Sequence, residues 1–262
     1  MAAKGHNMPM TGNVLDDLLQ LAHALASPER DMAILAEGNV SARADADSFW
    51  IKGSGQMMGS MGADGFSRVR LAEVQASIHG RFQDVIAIRS ALNDACIEGP
   101  APSTEAYMHA LLLGFPGVNY VGHVHPTPLL SLLCLKQARE WASKRLFPDE
   151  IVCCGPAACF VPYVAPGLEL ARAIQKEAAT FRKRHGVDPK TLWLENHGLI
   201  AVGATTREVE SACLMSVKAA RVLLGAVQSG LDIKWMTDAE VAHIFNWPDE
   251  HARQKALWGG AE

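Results

Sequence analysis

Tyrosine occurs only three times in 262 residues, and aromatic residues together make up 6% of the chain. No basic stripe interleaved with aromatics is present and the formal net charge is −4, so nucleic acid is not an expected partner. No apolar run reaches the roughly 20 residues of a membrane span, and the opening MAAKGHNMPM lacks the apolar core of a signal peptide. A membrane partner is therefore not expected, and the cytoplasm is the expected location. None of the six cysteines (Cys96, Cys134, Cys153, Cys154, Cys159 and Cys213) forms a CxxC pair of zinc-ribbon spacing, which leaves buried thiols in a reducing compartment. Internal repeats, linkers and low-complexity segments are also missing. What remains is an ordinary globular composition, 49% hydrophobic and 20% charged, with ample apolar content for a sizeable core.

Helical periodicity runs through 14–26. Residues 37–55 read as a turn, a short strand, a polar turn and a second strand entering a Gly-Ser loop. Helices are expected over 71–82 and 87–99, the latter ending near Gly99. Residues 100–117 combine a Pro-rich entry, a Ser-Thr cap and a helix stopped by Gly114 and Pro116. A strand over 118–125 is closed by Pro126, and one helix follows over 128–142. The segment 150–167 holds two short strand candidates separated by Gly155-Pro156. A helix capped by Gly186, two strands around Asn196-His197-Gly198, a long helix over 205–230 and one or two short helices in the tail complete the chain. Strands and helices mixed throughout imply a single α/β domain over 1–262.

Side chains two apart on a strand share a face, so His123 and His125 in NYVGHVHPTPLL point the same way. Such a pair is a common way to bring two imidazoles to one metal ion, and taken alone it is weak. Three further fragments add to it. ENHGLI sets His197 in a tight turn between apolar strands, where it is either a hairpin residue or a third imidazole. PSTEAYMHA sets Glu105 at the first turn of a helix, where a carboxylate also favours the helix dipole. EGNVSAR and KGSG are Gly-containing turns with hydroxyl or amide side chains, suited either to plain hairpins or to holding an anion on backbone N–H groups.

In this order the fragments GNVS (38–41), KGSG (52–55), PSTE (102–105), GHVHP (122–126), VPYVAPG (161–167) and NHGLIAVG (196–203) resemble the class II aldolase/adducin family, over about 14–225, with 226–262 as a C-terminal extension. The resemblance implies a three-layer α/β/α domain around a central mixed, largely antiparallel sheet. It makes His123, His125 and His197 ligands of a divalent metal, zinc or another such as manganese or cobalt, with an open coordination position. Glu105 matches the family's general acid/base, which also touches the resting metal. Its carboxyl should be raised by burial or tuned by the metal's charge. Asn39, Ser54, Gly55, Ser103 and Thr104 match positions that hold the anionic end of a small-molecule substrate. The implied activity is a carbon–carbon lyase reaction, aldol cleavage of a hydroxylated carbonyl substrate through a metal-stabilised enediolate. Decarboxylation is the alternative on the same scaffold, and a non-catalytic adducin-like interaction module is a further one. Glu rather than Asp at 105 leans toward a lyase over an epimerase, and intact histidines argue for an enzyme over the adducin-like type. The family also implies a homotetramer about a fourfold axis, with the apolar helix 209–226 as expected interface.

Two departures stand out. The fuculose-phosphate aldolase type takes a proton carrier from a C-terminal tyrosine, and the tyrosines here are Tyr107, Tyr120 and Tyr163. His243 and His251 are the titratable tail residues, with surface histidines as the other reading. Lys52 stands where phosphate-specific members carry a Thr-Pro run, and it suits a carboxylate or a phosphate equally, with a solvated lysine as the other reading. His109, four residues after Glu105, either orients that carboxylate or packs. His79 and His185 read as surface residues, and Tyr163 as structural.

Overall fold

A chain that alternates short apolar strands with amphipathic helices must cover both faces of the sheet it forms. The computed structural model describes residues 13–250 and 252. Its first half runs α1 (Val14–Leu25), β1 (Asn39–Arg43), β2 (Ser48–Lys52), β3 (Phe66–Arg70), α2 (Leu71–Ile78), α3 (Val85–Asp94), β4 (Cys96–Glu98) and α4 (Ala106–Leu113). The second half runs β5 (Tyr120–Val124), α5 (Thr127–Leu133), α6 (Ala138–Ala142), α7 (Pro148–Cys154), β6 (Cys159–Val161), α8 (Leu168–His185), β7 (Thr191–Leu194), β8 (Gly198–Gly203), α9 (Thr206–Gln228) and α10 (Asp238–Phe245). The strands form one eight-stranded sheet in the order β4-β3-β2-β1-β5-β8-β7-β6. Every pairing is antiparallel except β6 with β7.

The period-two alternation of the strands divides the core in two. Val40 and Ala42 of β1, Tyr120 and Val124 of β5, and Leu199 and Ala201 of β8 face a layer made by α1, α5, α6 and α9. Val121 of β5 and Ile200 and Val202 of β8, with Phe49 and Ile51 of β2, face the opposite layer of α2, α3, α4 and α8. This is the three-layer α/β/α arrangement with a mixed, largely antiparallel sheet. Antiparallel pairing also brings the start of β1, the end of β2, the end of β5 and the β7–β8 turn to one end of the sheet.

Several local expectations give way to tertiary structure. The helix expected through Gly99 stops at Asp94, and Cys96–Glu98 instead pairs with β3. An open strand edge offers backbone partners that a helix end lacks. The strand expected around Ile151 and Val152 is the helix α7. Pro148 at its first position and Asp149 and Glu150 in its first turn outweigh the β-branched pair. The single helix expected over 128–142 is two, because Leu135 N–H turns back to the Leu132 carbonyl and closes α5. The expected interface helix, α9, spends most of its apolar face inside the chain, through Val209, Ala212, Cys213, Val217, Ala220 and Leu223. Of the six cysteines expected to be buried, Cys154, Cys159 and Cys213 are, whereas Cys96 and Cys153 are half-buried and Cys134 is exposed. His251 lies outside the described residues.

Gly122 in the middle of β5 faces the crossing of α1 and α9. A Cβ there would lie 2.7 Å from a Val209 methyl and 3.1 Å from a Leu25 methyl. Gly122→Ala should therefore destabilise the fold by about 1–3 kcal/mol, the usual cost of overpacking. The expected readout is a lower urea midpoint at unchanged slope; an unchanged midpoint would mean that the helices stand further off the sheet.

Candidate active site

β5 carries His123 on the face toward α4, and the sheet register sets it opposite Asn39 of β1. His123 Nδ1 donates to the Leu199 carbonyl at 2.9 Å, which leaves the Nε2 lone pair facing the site. His125 lies just past β5, held by a 2.7 Å bond from its backbone N–H to the Met32 carbonyl. His197 comes from the turn between β7 and β8. Asn196 sits there in the left-handed region at φ 52, which asparagine tolerates. The turn presses close to β5: a Cβ on Gly198 would meet the Val124 carbonyl at 2.6 Å and the His125 ring at 2.7 Å. Ring centroids of the three imidazoles stand 4.7, 4.8 and 5.2 Å apart. One ring nitrogen from each falls within 4.8 Å of the others.

Glu105 caps the N-terminus of α4 and turns its carboxylate into this cluster. Oε2 accepts a 2.6 Å hydrogen bond from Asn39 Nδ2 and lies 3.6 Å from His123 Nε2. Oε1 lies 3.3 Å from His197 Nε2 and is buried without a hydrogen-bond partner. Burial alone would raise this carboxyl. The imidazoles of His123 and His197 and the Asn39 amide outweigh burial and hold it below the ordinary carboxylate range, against the expected rise. Burial pushes His123 and His125 down to about 4, so both are neutral at pH 7. His109 donates its backbone N–H to the Glu105 carbonyl, but its ring bonds to Asn39 and Ser41 rather than to the Glu105 carboxylate. Its Nε2 meets Asn39 Oδ1 and its Nδ1 lies 2.7 Å from Ser41 Oγ. Sequence reasoning missed Ser41, although its spacing from Asn39 puts both on one strand face. Glu37 was missed as well; its carboxylate lies 3.8 Å from His125 Nδ1, a proximity set by loop geometry that leaves no sequence signal.

The turns matched to an anion site adjoin the cluster. Ser54 N–H donates to the Ala101 carbonyl and Ser103 N–H to the Lys52 carbonyl, which ties KGSG to PSTE. Ser103 Oγ accepts from the Glu105 N–H at 3.3 Å and stands 3.4 Å from Asn39 Nδ2. Asn39 and Ser103 are thus engaged with Glu105, whereas Ser54, Gly55 and Thr104 face solvent. Lys52 is buried rather than solvated, and its Nζ donates to the Ala36 and Gln56 carbonyls at 3.0 and 2.6 Å. Burial lowers its pKa, partly countered by the charge of Glu105. Tyr107 and Tyr120 are buried and Tyr163 is exposed. His79 and His243 lie at the surface, and His185 is half-buried.

The donor set fits a divalent cation. Three imidazoles converge beside a buried carboxylate oxygen that makes no hydrogen bond, the pattern of a site with an open coordination position.

Residues 16–224 match the family described as class II aldolase and adducin N-terminal domain. Among solved structures the chain is similar to YgbL of Escherichia coli, described as a candidate aldolase/epimerase/decarboxylase. That likeness has a TM-score of 0.67 at 19% identity and covers 88% of this chain and 97% of that one. An L-fuculose 1-phosphate aldolase is similar with a TM-score of 0.66 at 17% identity, covering 90% and 96%. At such identities these likenesses concern the fold alone. A curated relative, the uncharacterized oxidoreductase YuxG of Bacillus subtilis (strain 168), is 25% identical over 202 residues, 73% of this chain and 27% of that protein. The chain therefore spans about a quarter of that relative's length. With four-fifths of its length inside the family match, the chain belongs to the class II aldolase and adducin N-terminal domain family.

Proposed function

We propose that the chain is a divalent-metal-dependent carbon–carbon lyase that cleaves a hydroxylated carbonyl substrate in the aldol sense. The observation that carries this reading is the pairing of three converging imidazoles with a buried carboxylate whose Oε1 makes no hydrogen bond. His123, His125 and His197 would hold the ion, with zinc the first choice and manganese or cobalt as alternatives. A bound ion supplies a Lewis acid that polarises the substrate carbonyl. Glu105 moves a proton at the carbon freed by cleavage, and Oε1 is the oxygen available for it. Ser54, Gly55, Ser103 and Thr104, on turns tied to one another beside Glu105, suit with Asn39 the anionic end of the substrate.

Decarboxylation is the second reading, favoured by one observation. Two of the three tyrosines are buried, and none lies in the C-terminal region. An aldol hydroxyl must lose its proton before the bond to carbon breaks; a carboxylate leaves as carbon dioxide with no proton to give up. A substrate panel assayed in parallel for aldehyde and for carbon dioxide release separates the two.

Glu105→Gln keeps the shape of the side chain but cannot accept a proton. Metal content should persist while turnover falls about 10²- to 10⁴-fold, the usual range for a general acid/base. Loss of the metal in that variant would make Glu105 chiefly a ligand. His197→Ala should lose the bound ion, read by elemental analysis, together with activity. A wild-type protein that binds no zinc, manganese or cobalt would sink the reading. The assembly is proposed to be a homotetramer, supported by apolar side chains left at the surface in Ile34, Leu35, Val85 and Ile86. Light scattering at micromolar concentration should report about four times the chain mass of 28.2 kDa, and a monomer would refute the assembly.

A further inference from the structure

Four buried polar groups form a chain that ends on the carboxylate: Ser41, His109, Asn39 and Glu105. The direction of each bond follows from its neighbour. Glu105 Oε2 can only accept as a carboxylate, so the group 2.6 Å from it is the Asn39 NH₂. Asn39 Oδ1 then faces His109 Nε2 and must accept, which puts the His109 proton on Nε2. His109 Nδ1 is left as an acceptor, and Ser41 Oγ donates to it at 2.7 Å. Every member has one role that satisfies the next, and no member faces solvent. A buried polar network of this kind specifies one geometry.

We infer that His109 is a positioning residue that acts on Glu105 through Asn39. It holds the amide in the one orientation that pins Oε2 and leaves Oε1 as the oxygen that exchanges the proton. The inference rests on the lyase reading for its catalytic part, whereas the bond chain stands on geometry alone. An amide free to flip would present its carbonyl oxygen to the carboxylate, repel it, and turn Oε1 away from the reacting carbon. Catalysis is sensitive to displacement on that scale, and about 1 Å of misplacement can cost 10²-fold.

Two measurements test this. The first is nitrogen NMR of the ¹⁵N-histidine-labelled wild-type protein at pH 7. It should show His109 neutral with the proton on Nε2; a proton on Nδ1 or a charged ring overturns the chain of bonds whatever reaction the protein catalyses. The second is a double-mutant cycle read on solvent exchange of the α-protons of hydroxyacetone and on zinc content. His109→Leu should lower exchange about 10- to 100-fold with zinc still bound. His109→Gln, which keeps a donor where Nε2 stood, should recover most of that loss. In the Glu105→Gln background, His109→Leu should cost nothing further, because the group it positions is already gone. Additive losses, or loss of zinc with His109→Leu, would give His109 a merely structural role. Wild-type protein with no exchange on this probe and no cleavage across the panel would end the lyase reading, and the NMR result would still decide the orientation of Asn39.

Discussion

The pairing of β1 with β5 sets Asn39 opposite His123 in the middle of the sheet, and the polar site is built outward from that pair. Burying an imidazole and a carboxylate at the sheet face is costly unless each is hydrogen-bonded. The register solves this locally. His123 hands one nitrogen to the Leu199 carbonyl on its other neighbour, β8, and Asn39 hands its amide to Glu105. A slip of one residue in this pairing would turn His123 toward α1 and α9, where only apolar side chains wait. The two core layers therefore do more than stabilise the fold, since they fix which face the imidazole can occupy.

Antiparallel pairing has a second consequence. Strand ends that are distant in sequence gather at one edge, so the β7–β8 turn reaches His123 and the loop after β2 reaches the entry to α4. His197 and Glu105 then arrive from turns rather than from strand interiors. Turns can carry a polar group whose outward side stays open to a ligand, and both groups need that freedom. The tight contact of Gly198 with β5 shows how little slack the arrangement has.

Much of this was legible in the sequence because it depends on local pattern. The alternation around His123 and His125 gave the strand and its face, and the Asn-His-Gly run gave the turn that bears His197. The entry to α4 was readable from Ser103, Thr104 and Glu105. What failed depended on distant partners. Cys96–Glu98 became a strand only because β3 offered an open edge, and α7 formed where Pro148 overrode two β-branched residues. The motif that matched Asn39 to an anion site carried no sign that its amide also meets groups from α4 more than sixty positions away. Lys52 carried no sign of burial, since a lysine before a Gly-Ser turn is ordinarily solvated.

The site divides into a rigid part and an open part, and the division bears on the chemistry. The three imidazoles, Glu105, Asn39, His109 and Ser41 are bonded to one another or to the sheet, so their geometry is set before any substrate arrives. Ser54, Gly55 and Thr104 face solvent and make no comparable side-chain bonds among the described residues. On the proposed reading the rigid part would generate and reprotonate a carbanion beside a carbonyl, a step common to aldol cleavage and decarboxylation. What differs is the group that departs, and that group must meet residues outside the rigid part. An aldehyde needs a partner for its hydroxyl proton; carbon dioxide needs only a route out. Deciding between them is therefore a question about the rim of the site and its C-terminal neighbours, where the histidine cluster has no vote.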